Sequence, residues 1–598
     1  MKSNKVKASI KPQKKIQSNS NYSIWIWVIM GITFLVYLPS LTNEFTNWDD
    51  DQYLTENIAY LQLNGTNFKL WFTDYFVGNY HPLTMLVYSL VFQFFGLESW
   101  AFHTFSLLFH LINIYLVFRL VIQLFSHFEI GLFVAALFAL HPMHTESVAW
   151  ISELKDVLYA MFYMATLISY QNFLKNKDSK QLLFSLILFV LSCLSKPMAV
   201  SIPLVLILLH VFTTSEKLSI RTFIPIGIFA FISLVFSYIA ILSQSSGGAV
   251  HNLAMEFSVL DRFFLVFHSF FYYCYQFIFP IGLSAFHDYP LKTTGFLPWY
   301  VYGSFMGSIL LFTAIYKMKT FSRESVFGFL FFIVALLPVL QIVPVGQIMV
   351  AERYTYVPYI GLSIALLFPL YKKIQNKKNL NMVLMGLVAV FSVMTFVRTK
   401  VWKNNETLWT DVIQKDANNP LAYINRSKYY LQNNKQTMAL ADLEKASNIS
   451  PNMPEVWNSM GMTKYQMNDA SCLQDFDKAI QLQPDFAIAY NNRANAYEKV
   501  GNIQNAIADY QKAITLMPER SDFVYNLALM YSKTQKYTDA LNLYSKAIEI
   551  NPEFAAAYTN RGIVYQLLGN QNNACEDWKK AANLGNAKAT EKLSQFCK

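Results

Sequence analysis

The feature that most constrains this chain is a series of long apolar segments that continues to about residue 400. A helix needs roughly 20 mostly apolar residues to span a bilayer, and inside lipid such a run satisfies its backbone polar groups only as a helix. The pattern therefore predicts a polytopic α-helical membrane domain over residues 22–397. Segments near this length occur at 22–41, 102–125, 129–148, 155–174, 182–196, 197–213, 222–243, 259–281, 298–316, 325–344, 359–372 and 380–397.

The composition differs between the two parts of the chain. The overall values are 54% hydrophobic and 14% charged residues, yet the sequence after about residue 400 is rich in Asn, Gln, Lys, Asp and Ala. The net charge of +10 comes from basic residues scattered over short loops and the N-terminal tail. Nucleic-acid-binding proteins concentrate such charge in a patch or stripe, so we expect a membrane environment and no nucleic-acid partner.

The basic residues also predict the orientation of the domain. Cytoplasmic loops are enriched in Lys and Arg, and the tail 1–21 is lysine-rich, so we expect it to be cytoplasmic. The other basic loops fit this rule if the aromatic run 82–97 lies in the interface and 259–281 does not cross fully. The result is about eleven crossings of the cell (inner) membrane, with residues 398–598 outside the cytoplasm. The polar segments around Asp49, His141, Lys196 and Arg353 then share that outer face.

The chain after residue 397 repeats itself every 34 residues. This period, with Ala where helices touch and Pro after the second helix, is typical of tetratricopeptide repeats, which are pairs of antiparallel helices. We predict a linker at 398–418 and an α-solenoid at 419–598, with about five repeats and a capping helix near its end. Such arrays bind an extended peptide or a protein partner. The period is kept by Asn458, Asn492, Asn526 and Asn560, and by Ala479, Ala513, Ala547 and Ala581.

Three adjacent carboxylates, Asp49, Asp50 and Asp51, follow the first apolar segment. Carboxylates are too costly to place in hydrocarbon, so this loop must lie at a wet surface beside the membrane. One interpretation is catalysis, in which a carboxylate takes a proton from an acceptor hydroxyl. The alternative is an acidic loop that only solvates the end of a helix.

Three further polar segments interrupt the apolar ones. His141, His144 and Glu146 could line a wet cavity, or could cap a helix; a metal site is disfavoured because Pro142 disturbs the spacing and no further ligand is near. Lys196 could anchor at the interface or neutralise a lipid phosphate. The neighbours Glu352 and Arg353 could bind phosphate through the guanidinium, or form only an ion pair.

Other classes of site find no support in the sequence. It contains no Gly-rich phosphate loop, no HExxH and no GxSxG, so nucleotide hydrolysis, metalloprotease and serine-hydrolase chemistry are disfavoured. The five cysteines are dispersed without metal spacing, and we expect no disulfide framework. The cysteines are Cys193, Cys274, Cys472, Cys575 and Cys597.

The order of these motifs resembles a known family. An acidic WDDDxY, then HPxHTExVAW, a lysine-proline, AERYxYVP and tetratricopeptide repeats are similar to the TMTC-type protein O-mannosyltransferases and their bacterial relatives. These belong to the GT-C glycosyltransferases, multi-pass enzymes with a polyprenyl-phosphate-linked sugar donor. The resemblance implies a GT-C-type membrane domain and a hydroxyl acceptor, commonly protein Ser or Thr, on the non-cytoplasmic side, which the repeats would hold.

The resemblance also implies roles for residues. Asp49 or Asp50 would be the catalytic carboxylate, while Lys196 and Arg353 would be candidates for the donor phosphate. The side chains of Glu352, His141, His144 and Glu146 would border the phosphate site or the cavity. No cofactor is implied with certainty, and a divalent metal is left open. Two other hypotheses stand beside the enzyme: an inactive membrane-anchored repeat scaffold that recruits proteins, and a transporter of lipid-linked sugar.

Overall fold

The computed structural model describes residues 20–214, 219–246, 257–292, 295–317, 321–340, 342 and 348–597. Most of the basic tail predicted over residues 1–21 lies outside these ranges. The chain divides into two compact units, Met1–Leu408 and Trp409–Lys598. Both units are built from helices, which confirms the predicted all-α class.

The first unit consists of long apolar helices joined by short turns, several of which are 3-10 helices. Helix α16, Asn405–Lys415, contains the boundary with the second unit. The preceding helices are α1 Ser20–Tyr37, α2 Gly65–Thr73, α3 Pro82–Phe95, α4 Ser99–Phe125, α5 Phe128–Leu140, α6 Thr145–Ala149, α7 Leu154–Asn176, α8 Ser179–Ser195, α9 Ile202–Thr213, α10 Ile220–Ser246, α11 Val259–Ile278, α12 Trp299–Lys317, α13 Arg323–Leu336, α14 Pro358–Lys373 and α15 Lys377–Thr399.

Among the described residues, five helical stretches are long and apolar enough to cross a membrane, and a sixth forms if the bent pair of α5 with Pro142–Ala149 counts as one span. The chain is therefore a multi-pass membrane protein. The count of about eleven crossings stays a prediction, because several predicted segments form apolar helices that are shorter, such as α3 and α8. The five stretches are Ile24–Thr42, Ser99–Phe125, Thr222–Ser245, Trp299–Lys317 and Lys377–Lys403.

Two prolines interrupt these helices and create the polar turns. A residue before proline is disfavoured in the α conformation, and both His141 and Lys196 adopt extended backbone before Pro142 and Pro197. The chain bends by 54° between α5 and the helical segment Pro142–Ala149. Each break exposes backbone and side-chain polar groups within an apolar surrounding, so these turns can assemble a polar site.

Two helices of the first unit cross at glycines. A Cβ added at Gly328 of α13 would lie 2.5 Å from the carbonyl oxygen of Gly361 in α14. Small residues allow helices in a membrane to approach closely and gain van der Waals contact. This crossing positions the turn that carries Arg353, because α14 begins five residues after it.

The second unit contains five antiparallel helix pairs and a final helix, as the 34-residue period predicts. Arg–Asp pairs of similar geometry brace three of the repeats: Arg426–Asp442, Arg493–Asp509 and Arg561–Asp577, with N–O distances of 2.7 Å. The helices are α17 Pro420–Gln432, α18 Gln436–Ile449, α19 Pro454–Gln466, α20 Cys472–Leu482, α21 Ala487–Lys499, α22 Ile503–Leu516, α23 Ser521–Lys533, α24 Tyr537–Ile550, α25 Ala555–Leu567, α26 Gln571–Asn583 and α27 Ala587–Phe596.

One cysteine pair departs from the expectation for the sequence. Cys575 in α26 and Cys597 after α27 form a disulfide, although the spacing of the cysteines suggested none. The reason is tertiary: α27 folds back on α26, and this brings two residues 22 positions apart into contact. The bridge fastens the capping helix to the last repeat.

Candidate active site

Asp50 connects the loop after α1 to the turn before α7. Its Oδ1 accepts hydrogen bonds from the backbone N–H of Ser152, at 2.9 Å, and from the Ser152 hydroxyl. Its Oδ2 accepts from the backbone N–H and the hydroxyl of Thr46, at 2.8 and 2.9 Å. The side chain is fully buried. Four protein donors therefore occupy both oxygens of this carboxylate.

Asp49 lies next to it in a different environment. The residue is partly exposed, and its carboxylate accepts no hydrogen bond from the described residues. Burial raises the pKa of Asp49, while the positive charges of Lys155, Arg353 and Lys196 oppose that rise. The charge of this carboxylate therefore interacts with a cluster of cations, while its oxygens keep their capacity to accept hydrogen bonds.

Glu153 is the centre of that cluster. Its Oε2 lies 2.9 Å from the Lys196 ammonium, and its Oε1 lies 3.3 Å from Lys155 and 3.2 Å from the Arg353 Nε. Although burial alone would raise the pKa of Glu153, Lys155, Lys196 and Arg353 hold it below its usual value. Lys196 has a second partner, Asp156, at 2.5 Å. Because these charges are close together and largely buried, removing one of them would leave its partners without a counter-charge and destabilise the cluster.

Arg353 reaches the cluster from the turn before α14. Its guanidinium also pairs with Glu146, and its backbone N–H donates to the same carboxylate at 2.9 Å. The guanidinium lies 5.4 Å from the centre of the Trp150 ring. Trp150 also stacks on Trp402, with 5.3 Å between ring centres. Arg353 is therefore held rigidly between a carboxylate and an aromatic ring.

Glu352 faces away from its neighbour in sequence. Its Oε1 accepts from the Arg398 guanidinium at 2.8 Å, so the ion pair between Glu352 and Arg353 that the sequence left open is replaced by two separate pairs. The reason is the 3-10 turn Glu352–Thr355, in which adjacent side chains point in different directions.

The two histidines of the 141–146 segment lie among aromatic rings. His141 Nε2 is 3.1 Å from the Phe277 carbonyl oxygen, and its ring stacks on Phe277. His144 Nδ1 is 2.8 Å from the carbonyl oxygen of Phe138. Both rings are buried. Across the part of the chain that the structure describes, no group of three or more His, Cys, Asp or Glu side chains is placed to hold a metal ion.

Sequence reasoning missed three members of the cluster: Glu153, Lys155 and Asp156. A signal for them was present, since three charged residues within four positions follow the polar 141–150 segment and open an otherwise apolar helix. Ionisable residues at such places mark sites more often than plain helix ends. Of the predicted residues, the structure brings together Asp49, Glu146, Lys196 and Arg353.

Comparisons with known proteins find family matches in each of the two units. Residues 80–241 match a family described as dolichyl-phosphate-mannose-protein mannosyltransferase. Three stretches of the second unit match tetratricopeptide-repeat families: 421–453, 487–520 and 528–569. The first match includes Glu153, Lys155, Asp156 and Lys196.

Curated relatives of the chain are described as protein O-mannosyl-transferases. A protein O-mannosyl-transferase of Caenorhabditis elegans is 23% identical over 427 residues, which cover 67% of this chain and 59% of the relative. Protein O-mannosyl-transferase TMTC3 of Homo sapiens is 28% identical over 155 residues, covering 24% of this chain and 16% of the relative. The chain thus spans less than two thirds of the length of these relatives.

Solved structures are similar to part of the chain. A crystal structure of MamA is 25% identical with a TM-score of 0.25, covering 28% of this chain and 97% of that one. A MamA fragment from Desulfovibrio magneticus RS-1 is 21% identical with a TM-score of 0.26, covering 28% and 94%. The family matches show that residues 80–241 are similar to the protein mannosyltransferase family and that the second unit contains tetratricopeptide repeats. In sequence, the chain is similar to protein O-mannosyl-transferases, including those named TMTC.

Proposed function

We propose that this protein is a membrane glycosyltransferase that moves a sugar from a polyprenyl-phosphate-linked donor to a hydroxyl group, in particular on protein Ser or Thr. The observation that carries the proposal is Asp49: a partly exposed carboxylate that accepts no hydrogen bond from the described residues and whose charge interacts with Lys155, Arg353 and Lys196. A hydroxyl nucleophile needs a base, and a departing phosphate needs positive charge. The family match at residues 80–241 supports the same chemistry.

In the proposed reaction the acceptor oxygen attacks the anomeric carbon while the bond from that carbon to the phosphate oxygen breaks. The acceptor proton goes to Asp49, and the phosphate leaves with the bonding electron pair as polyprenyl phosphate. Asp50 has no role in proton transfer, because its oxygens already accept four hydrogen bonds. It holds the loop so that Asp49 faces the cluster. Lys196 and Arg353 supply buried positive charge that favours the ionised base.

The proposed reaction takes place on the non-cytoplasmic face. Disulfides persist in oxidising compartments and are rare in the cytosol, so the bridge between Cys575 and Cys597 supports an extracytoplasmic location for the repeats. The distribution of basic loops along the sequence supports the same orientation. The repeats would then present a protein acceptor on the side where Asp49 lies.

Mass spectrometry of extracytoplasmic proteins tests this function. Cells that carry the wild-type chain should show hexose masses on Ser or Thr peptides, and these should disappear with Asp49→Asn. Glu44→Gln is the matched control, since Glu44 is an exposed acid in the same loop. If cells without the chain show the same glycopeptides as the wild type, the transferase proposal fails and the membrane-anchored scaffold becomes the better explanation.

A further inference from the structure

The cations of the cluster differ in how completely their charge is balanced. Lys196 has two carboxylate partners, Glu153 and Asp156, at 2.9 and 2.5 Å. Arg353 pairs with Glu146 and with Glu153. An anionic ligand would have to displace carboxylates to reach either of them, and buried ion pairs are costly to break.

Lys155 has fewer ion-pair partners among the described residues than Lys196 or Arg353. Among the described residues its ammonium has one ion-pair partner, Glu153 Oε1 at 3.3 Å, and Arg353 shares that oxygen. The ammonium lies 5.1 Å from the centre of the Tyr53 ring, and the residue is only 6% exposed. A poorly hydrated ammonium with a shared counter-ion gains most from an added anion, because attraction between charges is strong away from bulk water.

The imidazole ring of His81 also contacts Tyr53. Its ring centre is 5.1 Å from that of Tyr53, and the residue is 3% exposed. Neither ring nitrogen has a hydrogen-bond partner among the described residues. A buried polar group without a partner is costly, so an unpaired imidazole beside a cation cluster is a feature that ligand binding would explain.

The two groups have the chemistry of a phosphate subsite. Burial and, to a smaller extent, the charge of Lys155 lower the pKa of His81 to about 3, so the imidazole is neutral and offers one N–H donor. A phosphate ester has several acceptor oxygens and a negative charge, which suit one N–H and one ammonium. Tyr53 is fixed in place, since its hydroxyl accepts from the Asn79 side chain at 3.1 Å.

We propose that Lys155 and His81, which both contact Tyr53, bind the phosphate of the lipid-linked donor. This inference rests on the proposed function and assigns the donor phosphate to residues outside the set that the sequence suggested. Lys196 and Arg353 act through Glu153, which they orient and neutralise. Lys155 alone among these three cations then contacts the ligand.

A binding measurement on the full chain tests the assignment without requiring transfer. The protein is placed in phosphatidylcholine nanodiscs, and the binding of polyprenyl monophosphate is measured for the wild type and for Lys155→Met, Lys155→Arg and His81→Phe. We expect Lys155→Met to weaken binding about tenfold or more, since it removes a charge-assisted contact. Lys155→Arg should restore most of the affinity, which shows that the loss is not one of folding. Lys69→Met, at an exposed lysine of α2, is the matched control.

Several results would overturn the assignment. One is wild-type affinity in Lys155→Met. Another is equal binding to nanodiscs that contain phosphatidylglycerol and no polyprenyl phosphate, which would indicate a general anionic lipid site. Strong binding of inorganic phosphate that the lipid does not displace would indicate a soluble phosphate ligand instead.

The variant Asp49→Asn tests the proposed function separately from the phosphate subsite. This variant should still bind polyprenyl phosphate while transfer is lost. If it keeps transfer, the base assignment fails while the phosphate subsite stands on the Lys155 and His81 results.

Discussion

Ser152 donates both its backbone N–H and its hydroxyl to the same oxygen of Asp50, across 102 positions of sequence. Thr46 donates in the same way to the other oxygen. These bonds make Asp50 the connection between the acidic loop and the turn that carries Glu153. The neighbouring carboxylate of Asp49 accepts no hydrogen bond from the described residues, and it is the one that we propose as the base.

Replacing Asp50 by Asn should destabilise the protein. The amide nitrogen cannot accept a hydrogen bond, so one of the two donor pairs loses its acceptor, at a cost of about 1–3 kcal/mol. Thermal unfolding of the purified chain in detergent measures the effect. Ser152→Ala, which removes only the hydroxyl, should cost less. A fully stable Asp50→Asn protein without transfer would instead make Asp50 the base.

Asp49→Asn should abolish transfer without loss of stability. General base catalysis contributes typically about 10²–10⁴-fold in rate. Because burial raises the pKa of Asp49, its ionised form is disfavoured by its surroundings, and a neutral amide of the same size should be tolerated. Initial rates and thermal unfolding are compared on one preparation. A variant that unfolds early would contradict the assignment of Asp49 as a side chain without structural bonds.

The stability of the protein should depend on pH through Asp50. Burial raises the pKa of Asp50 from 3.8 to about 6 in the folded protein, against the hydrogen bonds from Ser152 and Thr46. The folded state therefore holds this proton more tightly than the unfolded chain does, so the contribution of Asp50 to stability falls as pH rises from 3.8 through 6. Unfolding temperatures of the wild type measured over this pH interval check whether this contribution falls as the pH rises. The contribution should vanish in Asp50→Asn.

The pH profile of transfer should respond to Lys155. A base must be ionised, so the acid limb of the rate follows the pKa of Asp49, which lies above the usual 3.8. The charge of Lys155 opposes that rise, as do Arg353 and Lys196, while Glu153 adds to it. Lys155→Met should therefore shift the acid limb of the pH–rate profile to higher pH. Lys155→Arg, which keeps the positive charge, should have an acid limb close to that of the wild type. An unchanged limb in Lys155→Met would place Lys155 too far from the base.

The disulfide should stabilise the end of the repeat unit. Cys575 and Cys597 are 22 positions apart, and closing a loop of about that length stabilises a protein by roughly 3 kcal/mol in the chain-entropy model. Cys597→Ser and Cys575→Ser should therefore lower the unfolding temperature of the repeats equally. Non-reducing gel mobility with and without a thiol reagent verifies the bridge. Unequal losses would indicate that packing of one side chain, and not the bridge, is responsible.

Local sequence patterns were sufficient for the all-α class and the repeats. Apolar length predicts membrane helices because backbone polar groups must be satisfied inside lipid. The 34-residue step predicts the five helix pairs and the last helix, since each repeat contacts only its neighbours and the same contacts recur. The prolines at 142 and 197 favour helix breaks at His141 and Lys196, because the residue before proline is disfavoured in the α conformation. Each of these inferences depends on residues close together in the chain.

The composition of the candidate site was decided only by tertiary structure. Asp49 and Asp50 are chemically identical neighbours, and they differ because Ser152 meets one of them and not the other. Glu352 pairs with Arg398 while Arg353 pairs with Glu146, since packing of distant helices sets which charges meet. Cys575 and Cys597 meet for the same reason. The sequence by itself determined the helices and the polar turns, and tertiary contacts determined which of the two carboxylates is anchored by hydrogen bonds.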